Sequence, residues 1–167
     1  MRKIVFWLKF LVATLVGLVG QFALHEFGHA LAALITGNEV VSIRFGIMSY
    51  AEINVINSWS IPIISVASFV LPILVCMLLE VIPLLFVKMT SSIILCITVV
   101  QLALNSFTVL FEKNVSVLNT YDLGLVVTNA SVNNILLGII ALASTVILLT
   151  WLIFKMLRVA ELAVEKI

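Results

Sequence analysis

The chain carries two histidines, and they stand four residues apart in His25-Glu26-Phe27-Gly28-His29. On a helix, positions i and i+4 share a face, so the two imidazoles can meet one ion. Two histidines at this spacing, with a glutamate after the first, form a zinc-hydrolase pattern: two ligands and a candidate general base. Glu26 lies about 100° around the helix from His25, which places it beside such an ion and not on it. There it could take a proton from water activated by zinc and pass it to a leaving amine. The alternative is two structural histidines. In apolar surroundings each ring would then need its own partner, whereas one metal satisfies both.

A catalytic zinc takes three protein ligands and keeps one position open. No third histidine exists, so the carboxylates and Cys76 and Cys96 remain. Both cysteines sit inside apolar runs and read as small buried hydrophobes, not as ligands or a disulfide. Asp122 is the chain's single aspartate and is followed closely by Gly124 and apolar residues. An ionisable group at membrane depth is expensive unless paired or liganded, so Asp122 is the preferred third ligand. Its alternative role is an interfacial helix cap. Glu39, Glu52 and Glu112 are rival ligands, while Glu80, Glu161 and Glu165 fall on the other side or in the tail.

The elements that must position these groups are apolar. Of 167 residues, 63% are hydrophobic and 10% charged, and the mean hydropathy is +1.32. Soluble domains run at about 45–50% apolar and about 25% charged. This composition defines an integral, multi-pass membrane protein whose first partner is the lipid bilayer. The net charge of +1 gives no argument for nucleic acid. A span needs about 20 residues, so the length allows four spans in one unit, 1–167, without a sizeable soluble domain. The expected fold is an all-α membrane protein with about four transmembrane helices, at 4–35, 59–82, 93–111 and 135–157. The first is too long for a cleaved signal peptide and ends at Gly37-Asn38. Residues 39–57 are rich in β-formers and suggest a short membrane-associated β-hairpin; an interfacial loop is the alternative. Lys88-Met89-Thr90-Ser91-Ser92 reads as the polar turn before the third span. Glu112 to Asn134 is the most polar internal stretch, and Lys155, Arg158, Glu161, Glu165 and Lys166 read as a charged tail. Internal repeats and low-complexity segments are absent.

Counting crossings places the chemistry. The histidines lie near the far end of span one; span two leads away and span three returns. Asp122 and the histidines therefore meet at one depth. Asn105, Ser106 and Thr108, with the asparagine-rich stretch after them, could line a route for water; for Ser106 and Thr108, hydrogen bonds between helices are the preferred reading.

On these residues the chain resembles the site-2 protease family of intramembrane zinc metalloproteases. His25-Glu26-Phe27-Gly28-His29-Ala30 is similar to that family's metal-binding helix. Gly37-Asn38-Glu39-Val40-Val41 and Ile43-Arg44-Phe45-Gly46 resemble the start of its membrane-associated hairpin. The resemblance implies one Zn2+ held by His25, His29 and the aspartate of Tyr121-Asp122-Leu123-Gly124, with Glu26 catalytic. It implies that Asn105 holds substrate backbone, with Asn119 as a rival. The family's usual asparagine segment has a proline that is missing after Asn105, and its aspartate is followed directly by glycine, where this chain inserts Leu123. A glycine-rich segment of the second span is replaced near Ser65-Val66-Ala67-Ser68. The implied substrate is a transmembrane segment, or a hydrophobic signal-peptide remnant, of another membrane protein in the cell membrane of a prokaryote.

Three functions are thus expected in order: a zinc endopeptidase, a non-proteolytic zinc-holding scaffold or partner subunit, and a metal or ion permease component. Glu26 favours the first, because a transport site needs no glutamate beside its metal. Orientation is contested. Seven of the nine lysines and arginines fall on the side away from the site and two, Arg44 and Lys113, on the site's side. Charge bias therefore puts both termini in the cytoplasm, whereas the resembled family opens its site towards the cytoplasm. Reporter fusions at residue 1 and after Ile167 are expected to give cytoplasmic signals; external signals at both ends would reverse the charge argument.

Overall fold

The structure, a computed structural model, describes residues 2–45, 49–130 and 132–164. Gly46 and Ile47, assigned above to the hairpin, and the tail residues Glu165 and Lys166 lie outside the described residues. Four helices are long and apolar enough to cross a membrane: α1 (Arg2–Ile35), α2 (Ile61–Leu79, preceded by a 3-10 turn at Ser58–Ser60), α3 (Leu85–Phe111) and α6 (Asn134–Val164). An antiparallel hairpin of β1 (Glu39–Arg44) and β2 (Tyr50–Asn54) follows α1. Two short helices, α4 (Val115–Leu118) and α5 (Asp122–Ala130), lie between α3 and α6.

The packing is that of a bundle in lipid. Its outside is apolar: Val19, Leu34, Leu78, Leu104 and Ile147 are all exposed. Its inside holds Gln21, Ser65, Ser68, Ser91, Thr98 and Ser106, all fully buried. Lipid gives apolar side chains no reason to hide, while polar groups must find partners within the protein. α3 is the mast, in contact with α1, α2, α5 and α6. Around it, Cys76, Ile94, Leu95, Val99 and Leu152 make one apolar cluster. Phe69, Leu102, Val109, Leu118, Leu123 and Ala141 make another under α5.

The end of α1 is built as its sequence demands. Gly37 takes the left-handed conformation, with φ of 75°, and the Asn38 amide donates back to the Ala33 carbonyl at 2.9 Å, closing a Schellman-type stop. Asn38 then joins three elements. Its Oδ1 accepts from the amides of Ile56 and Asn57. Its Nδ2 donates to Thr36 Oγ1 and Ser60 Oγ. This buried hub seats the hairpin between α1 and α2.

Several expectations are corrected. The second helix ends at Leu79, before Ile82. The third begins at Leu85, eight residues ahead of Ile93. Lys88 to Ser92 are therefore helical, because the hydroxyls have partners there: Thr90 donates to the Phe86 carbonyl, Ser92 to that of Lys88, and Ser91 to that of Cys76 on α2. The fourth runs from Asn134 to Val164, so Lys155, Arg158 and Glu161 belong to a helix and not to a tail. Lys155 is 4% exposed. Its ammonium pairs with Glu80, donates to Ser91 Oγ at 2.6 Å and sits 5.4 Å from the Trp151 ring centre. Cys76 is buried but Cys96 is exposed, and both are free thiols. Ser106 and Thr108 do not link helices; each donates to the carbonyl four residues back in α3.

The Lys155–Glu80 pair joins α6 to the end of α2. Removing the Lys155 cation leaves Glu80 with only the longer contact to Lys88 Nζ, at 4.0 Å, and so weakens the pairing of a partly buried carboxylate. Lys155→Met is expected to lower the melting temperature in detergent, and Lys155→Met combined with Glu80→Leu to recover most of the loss. Equal melting of the single variant and the parent would remove this role.

Candidate functional site

The structure brings His25, His29 and Asp122 together. His25 Nε2 lies 3.2 Å from Asp122 Oδ2, and His29 Nε2 lies 3.3 Å from Asp122 Oδ1. One donor atom from each residue falls within 4.8 Å of the others. The two contacts reach different oxygens of the Asp122 carboxylate, so the three side chains converge closely enough to share one ion. Among the described residues this is the only such cluster of histidine, cysteine and carboxylate donors.

Helical spacing brings the two histidine rings together on α1, edge to face, with ring centres 5.0 Å apart. His29 is oriented from α2: its Nδ1 lies 2.9 Å from the Ile64 carbonyl. A carbonyl only accepts, so Nδ1 carries the proton, and in the neutral ring Nε2 keeps its lone pair for a metal. His25 packs edge-on against Phe69, and its Nδ1 is buried without a hydrogen bond among the described residues. Glu26 is 6% exposed and lines the same cavity as the three donors.

Asp122 is delivered by the short helices. It opens α5, where the partial positive charge of the helix start favours a carboxylate. The Leu123 amide donates to Asn105 Oδ1 at 3.2 Å, and Ser68 Oγ lies 3.2 Å from Asp122 Oδ2. Burial pushes the Asp122 carboxyl up, but its contacts with His25 and His29 more than reverse this and hold it well below the usual carboxylate range.

The cavity has a volume of about 760 Å³. One wall is polar, from Gln101, Asn105, Asn119, Thr120, Tyr121 and Asn129. The other is largely apolar, from Ala51, Ile53 and Val55 of the hairpin region and Ile61 and Ile64 of α2 and its approach. The rival carboxylates are engaged elsewhere. Glu39 accepts from Asn54, Glu52 from Ser42, and Glu112 from the Lys113 and Asn114 amides. Asn105 is buried, and Asn119 accepts from Thr128.

Sequence reasoning missed the supporting contacts. The Ile64 carbonyl has no signature in sequence. Ser68 stood out only as a small residue where the resembled family has glycines. Gln21 and Gln101 were legible solely as polar residues inside apolar runs. No family model, curated protein or solved structure matches the chain.

Gly124 explains the glycine two residues beyond Asp122. A Cβ there would stand 1.9 Å from the Leu118 carbonyl oxygen, so α4 and α5 pack backbone to backbone. Gly124→Ala must open that turn and is expected to destabilise by about 1–3 kcal/mol, as overpacking does. At Gly20 a Cβ would meet nothing closer than Ile94 Cδ1 at 3.6 Å, so Gly20→Ala is expected to be neutral or stabilising. Thermal melting of both variants in detergent checks the contrast.

Proposed function

We propose that this protein is an intramembrane zinc metalloendopeptidase. It would hydrolyse peptide bonds in or near transmembrane segments, or in signal-peptide remnants, of other membrane proteins. The observation that carries the reading is the meeting of His25, His29 and Asp122, with one donor atom of each within 4.8 Å of the others, and Glu26 on the same cavity. Zinc bound there would supply Lewis-acid polarisation of a peptide carbonyl and would acidify a water.

The chain's own residues supply the rest. Glu26 takes the proton from the attacking water and delivers it to the leaving nitrogen, so that one water and one peptide bond become a carboxylic acid and an amine. The Ile64 carbonyl fixes the His29 tautomer. Asp122 sits between the two imidazoles. The polar wall keeps water at the site, while helices with apolar outer faces surround it. A helical substrate hides its carbonyls in hydrogen bonds and must be extended before attack. β2 pairs with β1 along one edge and contributes Tyr50, Ala51 and Ile53 to the cavity, so its other edge suits an extended strand.

Glu26→Gln is expected to retain about one zinc per chain and to lose at least about 100-fold in cleavage of a membrane-embedded substrate, the scale of general-base catalysis. His25→Ala is expected to lose the zinc. Zinc by elemental analysis and cleavage by mass spectrometry check both. Full function in Glu26→Gln with zinc retained would favour a non-proteolytic zinc scaffold. Unchanged zinc in His25→Ala would end both readings.

A further inference from the structure

The polar wall of the cavity holds two carboxamides one helical turn apart on α3, Gln101 and Asn105. Their hydrogen bonding differs. Asn105 is 8% exposed and turned inward at both ends. Its Nδ2 donates to the Gln101 backbone carbonyl at 3.0 Å, and its Oδ1 accepts from the Leu123 amide. That second bond reaches the residue next to Asp122.

Gln101 is engaged at one end only. Its Oε1 accepts from Gln21 Nε2 at 2.8 Å. Gln21 is fully buried, and its own Oε1 lies 3.0 Å from the Thr98 hydroxyl, which is also within reach of the Ile94 carbonyl. The row runs from Thr98 through Gln21 to Gln101. It leaves Gln101 Nε2 without a hydrogen bond among the described residues, on a side chain that lines the cavity. Gln21 is one turn before His25 on α1, about 6 Å along the helix axis. A fully buried glutamine is an expensive way to pack a membrane helix. Here it aims a second carboxamide at the space beside the metal-ligand cluster.

We propose that Gln101, aimed by Gln21, binds the main chain of the substrate, and that Asn105 is a positioning residue for Asp122. In the arrangement described, Gln101 donates an N–H to a peptide carbonyl of an extended substrate. A carboxamide reads any peptide main chain, which suits a protease whose substrates share apolar segments and no single side chain. Asn105 acts through the Leu123 amide, tying the start of α5 to α3 and so fixing where the Asp122 carboxylate lies. This assignment rests on the metalloendopeptidase reading above.

The test uses the zinc-loaded protein in detergent and two probes: acetohydroxamate, which needs only the metal, and an apolar peptide hydroxamate, which also presents a main chain. Gln101→Met keeps the length of the side chain and removes the amide. It is expected to weaken the peptide hydroxamate about three- to tenfold, the scale of one neutral hydrogen bond. Acetohydroxamate affinity and zinc content should stay at the parent's level, and Gln21→Leu should shift the peptide probe in the same direction. Asn105→Ala is expected to lower zinc affinity about 10–100-fold, as loss of a ligand-orienting contact does. Parent-like binding of the peptide hydroxamate by Gln101→Met would overturn the proposal. So would loss of zinc from that variant, or an Asn105→Ala variant that weakens the peptide probe with zinc affinity unchanged. A parent protein that binds neither zinc nor acetohydroxamate would instead overturn the metalloendopeptidase reading itself.

Discussion

The Asp122 carboxylate, set against the imidazoles of His25 and His29, is the contact on which the candidate site depends. It joins the end of the first membrane helix to a short helix far along the chain. Neighbouring features serve this meeting. Gly28 lets α2 approach α1 so closely that a Cβ would strike the Ala67 carbonyl, which brings Ile64 and Ser68 to the site. Asn105 holds the start of α5, and Gly124 lets α4 fold under it. A three-donor cluster built from two remote segments needs each support to be close to correct, because donor positions must hold within about half an ångström.

The rest of the interior follows from the absence of water in a bilayer. Polar side chains gather at two levels. One is the cavity level, with His25, His29 and Asp122 and the row of Thr98, Gln21 and Gln101. The other is the level of Glu80, Ser91 and Lys155. Between Ser91 and Thr98 on α3 lie Ile94 and Leu95, part of the apolar cluster shared with α2 and α6. The bundle is thus polar at one end, apolar in the middle and ionic at the other.

Much of this was legible because membrane constraints are strict. Apolar run length gave four helices, β-formers after Gly37 gave the hairpin, and crossing parity placed Asp122 at the depth of the histidines. What escaped had a common cause. Ser91, Ser92, Thr90 and Lys155 carry polar labels, and polar labels in a linear reading suggest turns and tails. In three dimensions their polar atoms meet partners from other helices or one turn back, so the helices continue through them. Ser106 and Thr108 show the converse: hydroxyls credited with bridging helices are satisfied within α3. Asp122 and Gly124 were visible as residues, but not the backbone contact with Leu118 that makes the glycine necessary.

The buried Lys155 also bears on how the protein is made. A lysine in a membrane helix raises the free energy of insertion by up to about 2.5–3.5 kcal/mol. The partners that relieve it, Glu80 and Ser91, sit at the end of α2 and on α3, which are synthesised earlier. The last helix therefore enters lipid most readily when the preceding hairpin of helices is already there to receive its charge. The ion pair thus ties α6 to an acceptor that α2 and α3 make together.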